Sequence, residues 1–230
     1  MRVGRWGGSS GWKYAAGEFL LIVAGVLVAL SASDWQNRQA DRRTELSILG
    51  ELHTALSADL EFLENTLDQF RRIESRTEVV LTHMRSGASY SDSLDAYFGT
   101  VYGFLGGQLN KAGYESVKSQ GLGLISDDGL RSHVARVYEQ TYPSAEGSIE
   151  FERSVILDLL RPYFLVYFRD LRFGQSATPL DYDAVSADGE FLNLVDYRLQ
   201  VVKQNAIPGL ETATSEIGAL IEAIEAELGG

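Results

Sequence analysis

The stretch from Tyr114 to Lys118 holds the side chains of this sequence that most resemble catalytic groups. A serine hydroxyl and a lysine amine can act as nucleophile and base when they lie within hydrogen-bond reach. Ser116 and Lys118 are two residues apart, and on a helix this spacing points the two side chains in different directions. The sequence also lacks a nucleophile elbow, a phosphate-binding loop and a metalloprotease motif. We therefore expect no enzyme, and we assign these polar side chains to helix capping and packing.

Side chains that bind metals are also few. The three histidines, His53, His83 and His133, show no spacing typical of metal ligands. The chain has no cysteine, which excludes disulfides, thiolate nucleophiles and cysteine-bound metals. His53 lies among leucines, so we interpret it as a hydrogen-bonded core or interface residue. The sequence predicts no metal and no cofactor.

The charge of the chain is distributed unevenly between the first 33 residues and the rest. The formal net charge is −12. Residues 1–33 contain three basic side chains and one acidic side chain, a net charge of +2, so the remaining residues carry −14. A body this acidic is repelled by nucleic acids and by anionic lipid headgroups. We therefore expect no nucleic-acid partner.

Residues 14–33 form a nearly continuous apolar segment. A helix of about twenty residues rises about 30 Å, which matches the hydrocarbon core of a bilayer. Aromatic residues, which favour the headgroup level, stand at both ends: Trp12, Tyr14 and Trp35. The alternative is a signal peptide that uses Phe19 to Leu30 as its apolar region and is cleaved near Ser33. Because Glu18 opens the run and the helical pattern continues beyond the segment, we favour a retained transmembrane helix.

One face of this predicted helix combines a charge with a row of small residues. The helical repeat puts Glu18, Gly25, Ala29 and Ser33 on the same face. Small residues four positions apart let two membrane helices approach closely, so this face predicts self-association. Two interpretations of Glu18 stay open. Its carboxylate reaches the nearby membrane interface, or it faces a partner helix and helps to fix an oligomer.

The helix is predicted to continue well beyond the apolar segment. No proline precedes Pro143, so no residue obliges the helix to stop near Trp35. Apolar residues then recur at alternating spacings of three and four, as in a heptad repeat. This seam consists of Leu46, Leu49, His53, Leu56, Leu60, Leu63, Leu67 and Phe70. We predict a long amphipathic, coiled-coil-like helix from Tyr14 to Met84, ended by Gly87 and the serines around it.

The remaining residues show helical patterns separated by turn residues, which predicts an all-α helical bundle. The expected helices cover Tyr90–Leu105, Tyr114–Ser119, the residues after an N-cap at Ser126, Ser148–Leu171 with a kink at Pro162, Phe191–Ala206 and Leu210–Leu228. Between them we expect a turn at Gly121 to Gly123, a loop over residues 172–190 and a break at Pro208 and Gly209. The predicted parts are a short basic tail (1–13), a transmembrane helix (14–35), the long amphipathic helix (36–86) and the bundle body (87–230), which packs against residues 46–84.

Two stretches resemble an uncharacterised family of bacterial single-pass membrane proteins. In the first, an aromatic residue, a Gly-Glu pair, an apolar run and a tryptophan follow one another as Tyr14, Gly17, Glu18, Gly25 and Trp35. The second is a mid-chain pattern matched by Tyr114, Glu115, Ser116, Lys118, Gly121, Leu124, Ile125, Leu130 and Arg131. This chain differs from the family beside the tryptophan, where Ala32, Ser33 and Asp34 precede Trp35 and Gln36 follows it. The resemblance implies a membrane anchor and implies no activity.

The basic residues beside the apolar segment do not decide its orientation. Three precede it and three follow it: Arg2, Arg5 and Lys13, then Arg38, Arg42 and Arg43. The positive-inside rule counts these residues and therefore gives a tie. We expect the segment to cross the bacterial inner membrane once, with the short basic tail in the cytoplasm and the acidic body in the periplasm.

Two functions of different classes fit these features. The first is a membrane-anchored, all-helical interaction or scaffold protein. Its partners would be the lipid bilayer, further copies of the chain, bound through the apolar helix and the seam, and an unidentified protein. Its candidate interaction turn is Tyr114, Glu115, Ser116, Lys118 and Gly121, because the turn residues here have no evident core role. The alternative is an extracytoplasmic ligand-binding or sensory bundle that acts through a partner, since no second apolar helix follows the first.

Overall fold

A computed structural model of the chain describes residues 11–229, with side chains from residue 17 onward except that of Gln120. Most of the predicted basic tail, including Arg2 and Arg5, and the side chains of Trp12, Lys13 and Tyr14 lie outside the described residues. The structure is 84% helical and contains a small two-stranded sheet, so the all-α prediction is confirmed. The chain divides into two compact units, Met1–Ile48 and Leu49–Gly230.

The described residues form α-helices joined by short turns and a hairpin. The helices are α1 (Gly11–Arg85), α2 (Asp95–Tyr102), α3 (Ala112–Gln120), α4 (Asp128–Arg136), α5 (Tyr142–Ser154), α6 (Arg161–Tyr167), α7 (Tyr182–Ala187), α8 (Gly189–Val201) and α9 (Ile207–Gly229). The strands are β1 (Phe168–Arg172) and β2 (Ser176–Pro179). Short 3-10 turns cover Asp92–Leu94 and Leu122–Leu124.

The long helix expected near the N-terminus is present as α1. It covers 75 residues, none of which is a proline. Its end is set by Gly87, whose φ of 67° is a left-handed conformation that glycine adopts without strain. The N–H of Gly87 donates to the carbonyl of Met84 at 3.1 Å, and the N–H of Ser86 donates to that of Thr82 at 3.0 Å. The predicted end of the helix at Met84 is therefore within one residue of the observed end.

Within the second unit, one face of α1 supplies much of the core. Its fully covered side chains include Leu49, Leu52, Leu56, Leu63 and Phe70. The predicted seam is right at most of these positions, but Leu60 is only partly buried and Asp59 beside it is buried. His53 is partly exposed, and its Nε2 lies 2.9 Å from Oε1 of Glu225. This contact agrees with the interpretation of His53 as a hydrogen-bonded interface residue.

Residues 168–179 form a β-hairpin that the sequence analysis missed. The strands are antiparallel, with Phe168 opposite Pro179 and Arg172 opposite Ser176. Gly174 in the turn has a φ of 67°. The predicted helix to Leu171 therefore ends four residues too late, and the predicted loop over residues 172–190 is wrong, because it contains β2 and α7.

Two glycines allow the hairpin to lie directly on α2. A Cβ atom on Gly99 would overlap the backbone of Ser176, and one on Gly103 would come within 2.8 Å of the Cα atom of Gly174. Because the two backbones touch, any larger residue at Gly99 would push the hairpin away. The first residue of the hairpin, Phe168, packs into the adjoining core, where its ring centroid lies 5.3 Å from that of Phe98.

Three of the four prolines stand inside helical runs without ending them. Pro143, Pro162 and Pro208 are the second residues of α5, α6 and α9. In the described residues a π turn precedes each of them: Val137–Thr141, Val155–Leu160 and Val202–Ala206. In these wider turns, the residue before the proline donates to the carbonyl five positions back, which accommodates the proline that an α-helix would reject. The predicted break at Pro208 is therefore wrong.

Buried side chains around the π turns are spaced four residues apart. The three series are Val134, Tyr138, Tyr142; Ile156, Leu160, Phe164; and Val202, Ala206, Leu210. In an α-helix of 3.6 residues per turn, repeated steps of four drift off one face. The extra residue of each π turn compensates for this drift and keeps the three side chains directed at the core.

Two further helix ends differ from the prediction by a few residues. The helix expected over Tyr90–Leu105 is shorter, because α2 ends at Tyr102. The N-cap of α4 is Asp127 and not Ser126, since Oδ1 of Asp127 accepts a hydrogen bond from the N–H of Leu130 at 2.6 Å. The spacing of Leu130, Val134 and Val137 predicts a buried face for this helical run, and all three side chains are buried.

Substituting Gly99 tests the contact between α2 and the hairpin. We expect Gly99→Ala to lower the free energy of unfolding by about 1–3 kcal/mol, because the added methyl group overlaps the backbone of Ser176. The matched control is Gly147→Ala in α5, where a Cβ meets no atom within 4 Å. The control should be neutral or stabilising by up to ~1 kcal/mol. Thermal unfolding followed by circular dichroism compares the two variants, and equal stability would contradict the close packing.

Candidate functional site

The apolar part of α1 has its large side chains uncovered. Those most exposed are Leu21, Val28, Phe19, Leu20 and Ile22, which keep 61–75% of their surface accessible. Within the described residues, α1 is the one helix long and apolar enough to cross a membrane, and a signal sequence would pass the same test. The backbone hydrogen bonds of a helix are satisfied internally, so the only groups that this segment presents are side chains. This segment is therefore a candidate for insertion into lipid or for cleavage as a signal.

The predicted association face of this helix also points outward. Glu18, Gly25, Ala29 and Ser33 all lie on α1, and each is exposed. A Cβ atom added to Gly25 would meet no atom within 4 Å. The small-residue row is thus open to a second helix, as close helix packing in a membrane requires.

The candidate interaction turn divides into a buried part and a surface part. Tyr114 is 1% exposed, and its ring stacks on that of Tyr138 with 4.6 Å between centroids and 3° between planes. The interpretation that residues of this turn have no core role is therefore wrong for Tyr114. Glu115, Ser116 and Lys118 are exposed on α3, and Gly121 ends this helix with a φ of 105°.

Glu139 binds two side chains of this turn, Tyr114 and Lys118. Its Oε1 accepts hydrogen bonds from the hydroxyl of Tyr114 and from Nζ of Lys118, both at 2.8 Å. The hydrogen bond from Lys118 and, to a lesser extent, that from Tyr114 lower the pKa of Glu139. The contact with Glu139 in turn raises the pKa of Lys118. The contact with Glu139 therefore favours the protonated form of Lys118. The arrangement is an ion pair that fixes α3 to the helical run containing Glu139.

A buried carboxylate on α1 holds the irregular segment that follows α2. Asp59 is 5% exposed and accepts from the hydroxyl of Tyr142 at 2.7 Å. Its two oxygens also accept from the backbone N–H of Asn110, at 2.9 and 3.2 Å. Burial raises the pKa of Tyr142, so its hydroxyl remains a donor. Asp59 therefore connects α1, α5 and the segment around Asn110.

A second buried charge satisfies the end of α2. Arg198 on α8 is completely buried. Its Nη1 group donates to the carbonyls of Thr100 and Val101, and its Nη2 donates to that of Gly103 at 2.7 Å. Its Nε donates to Oε1 of Glu152 at 2.8 Å, and Nη2 lies 2.7 Å from the same oxygen. All five N–H groups of the guanidinium thus face an acceptor.

Glu152 is the buried counter-ion of this arginine. Both side chains are fully covered, so each charge has lost its hydration and depends on the other. Burial lowers the pKa of Arg198, and the charge of Glu152 acts in the opposite direction. The second oxygen of Glu152, Oε2, has no hydrogen-bond partner among the described residues. The pair therefore fixes α2, α5 and α8 at one point.

Arg198, Glu152 and Asp59 were not predicted from the sequence, although a signal for each was present. Each is a charged residue on an otherwise apolar helical stripe. The stripes contain Phe191, Val195 and Val202 around Arg198, and Ile149 and Ile156 around Glu152.

Among the described residues, no three or more histidine or acidic side chains lie close enough together to hold a metal ion.

Removing Arg198 tests the dependence on this buried pair. We expect Arg198→Leu to lower the free energy of unfolding by about 3–5 kcal/mol, because Glu152 and three carbonyls lose their partner in the interior. The matched control is Arg85→Leu, which breaks an exposed pair with Asp196. The control should cost no more than ~1 kcal/mol. Denaturant unfolding measures both, and similar losses would show that the buried pair has no special role.

Comparison with known proteins gives no relative from which a function could be transferred. No family model, no curated protein and no solved structure matches this chain. The resemblance to a family of bacterial membrane proteins stays a prediction, and the functional assignment rests on the geometry described above.

Proposed function

We propose that this protein is a membrane-anchored helical interaction protein that self-associates. The observation that carries the proposal is the uncovered apolar surface of α1 between Phe19 and Leu30. Each large apolar side chain left in water forgoes ~1.5–3 kcal/mol of transfer free energy. A lipid bilayer covers such a surface on all sides, whereas one groove on a partner protein would cover only one face.

The ends of the segment support a retained anchor. Trp35 is 63% exposed, as expected for an aromatic side chain at the headgroup level. The helix continues without a break from the apolar residues through Ser33. Cleavage as a signal peptide would require an accessible, extended chain near Ser33 instead. In this proposal the protein crosses the bacterial inner membrane once, and its acidic body lies in the periplasm.

The body is the working surface of the proposed anchor protein. Its strongly negative charge favours a partner with a basic surface and disfavours nucleic acid. Within the predicted interaction turn, the side chains of Glu115, Ser116 and Lys118 and the backbone of Gly121 are exposed to a partner, whereas Tyr114 is buried.

Fractionation of cell membranes tests the anchor. The full chain with a C-terminal tag should remain in membranes washed with alkaline carbonate. Leu21→Arg combined with Val28→Arg should release it, since each arginine near the centre of a membrane helix costs ~2.5–3.5 kcal/mol. The control combines Val79→Arg and Leu159→Arg, two exposed apolar residues outside the segment, and should leave the protein in the membrane. A soluble wild-type product trimmed near Ser33 would refute the anchor.

Chemical crosslinking in membranes tests self-association. Gly25→Leu combined with Ala29→Leu should weaken the crosslinked ladder at least several-fold, because the larger side chains keep two helices apart. The control is Val23→Leu with Leu27→Phe on the opposite face, which adds bulk and keeps the segment apolar. Glu18→Gln distinguishes the two roles of this residue. An unchanged ladder in Glu18→Gln indicates an interfacial carboxylate, and an unchanged ladder in the glycine variant would contradict association through this face.

A further inference from the structure

A cleft in the second unit lies between α1 and the segment that follows α2. It is open to solvent on one side and has a volume of about 190 Å³. Gln69, Arg72, Ile73 and Arg76 line it from α1, at positions that share one helical face. Across from them lie Thr100, Gly103, Phe104 and Leu105, and Gly174 of the hairpin turn closes one end.

The two arginines of this cleft lack carboxylate partners. Arg72 makes no hydrogen bond or ion pair with any described residue. Arg76 donates to Oγ1 of Thr100 at 2.9 Å and lies 5.8 Å from the ring centroid of Tyr97, so its contacts are to neutral groups. Both side chains are exposed, and what sets them apart from other exposed arginines, such as Arg161, is that they line the same cleft.

The acidic side chains nearest in the helix are already engaged with other cations. Asp68 lies 3.5 Å from Arg71, which also binds Glu211. Glu74 and Glu78 both pair with Lys203, at 3.5 and 2.8 Å. These acidic side chains are therefore paired with cations other than the two exposed arginines that line the cleft.

The spacing of the two arginines is itself unfavourable without an anion. Arg72 and Arg76 are four positions apart, and like charges at this spacing destabilise a helix. An oxyanion seated between them would reverse this repulsion. Arginine suits this role because its planar guanidinium offers two parallel N–H groups to a carboxylate or a phosphate.

The opposite wall of the cleft does not repel an anion. The carboxyl end of an α-helix has a partial negative charge on its free carbonyls. At the end of α2, the carbonyls of Thr100 and Gly103 bind the buried guanidinium of Arg198. The hydroxyl of Thr100 donates to the carbonyl of Ala96 at 3.0 Å and accepts from Arg76, so the side chains of Phe104 and Leu105 are the groups on this wall that remain for a ligand.

We propose that this cleft binds a small organic anion, with its carboxylate or phosphate between Arg72 and Arg76 and its apolar part against Ile73, Phe104 and Leu105. The volume of the cleft suits a ligand of metabolite size. Binding of this kind goes beyond membrane anchoring. It would make the protein a membrane-bound receptor for the anion that acts through a partner.

Calorimetric titration of the full chain in detergent at constant ionic strength tests this site. The probes are benzoate, phenyl phosphate, inorganic phosphate and the neutral benzyl alcohol. We expect benzoate or phenyl phosphate to bind with saturation, and the tighter of the two identifies the head group. Inorganic phosphate should bind at least ~10-fold more weakly than phenyl phosphate, because it lacks the apolar ring. Benzyl alcohol should not saturate, because it lacks the negative charge.

Two variants and a control connect binding to the cleft. Arg72→Gln should weaken binding at least ~10-fold, and because Arg72 has no partner in the described residues its loss should leave the thermal midpoint unchanged. Arg76→Gln should weaken binding similarly. Arg161→Gln removes an exposed arginine outside the cleft and should keep the wild-type affinity. The proposal is overturned if no probe saturates the wild type, if benzyl alcohol binds as well as benzoate, or if Arg161→Gln weakens binding as much as Arg72→Gln. None of these results affects membrane retention.

Discussion

The fold of the second unit depends on hydrogen bonds from a protein side chain, rather than from water, to the carbonyls at the end of α2. This helix has only eight residues, and the chain leaves it inside the protein, where unpaired carbonyls would cost free energy. Arg198 solves this with one side chain that binds three carbonyls and is neutralised by Glu152. A charge pair of this kind is costly to desolvate, so its main effect is geometric. It joins α2, α5 and α8, because separating the two side chains would leave a charge alone in the interior.

The irregular segment after α2 is held at both ends by buried charges. At Gly103 its carbonyl binds Arg198, and at Asn110 its N–H binds Asp59. Such a segment has no regular hydrogen bonds of its own, and these two contacts replace them. Phe104 and Leu105 lie between these two contacts and form one wall of the cleft lined by Arg72 and Arg76, the arginine cleft. A wall fixed in advance does not have to be ordered when a ligand binds, which reduces the entropic cost of binding.

The sequence predicted the parts of the fold that have regular apolar repeats. The long α1, the buried face of α4 and the end of α1 at Gly87 all follow from spacing and glycine alone. The hairpin was missed because its strands are short, Phe168–Arg172 and Ser176–Pro179, and are stabilised by contacts with α2 that are distant in sequence. The pair of glycines at positions 99 and 103 was the available signal.

Of the candidate site residues, those in the apolar helix lie on one exposed face as expected, whereas Tyr114 was misjudged because its stacking on Tyr138 is a tertiary contact. The arginine cleft could not be predicted, since it depends on which acidic residues pair elsewhere.

At each of the three π turns, the exact number of residues in the helix is important for the packing that follows. Deleting one residue from Val155–Leu160 would restore an ordinary α-helix and rotate everything downstream by about 100° about the helix axis. Phe164 would leave the core, and Phe168 could no longer start the hairpin beside α2. The proline at position 162 would then meet the carbonyl that the wide turn had moved aside. Insertions and deletions are usually tolerated in loops, but in this protein the helices themselves contain positions where neither can occur without rebuilding the core.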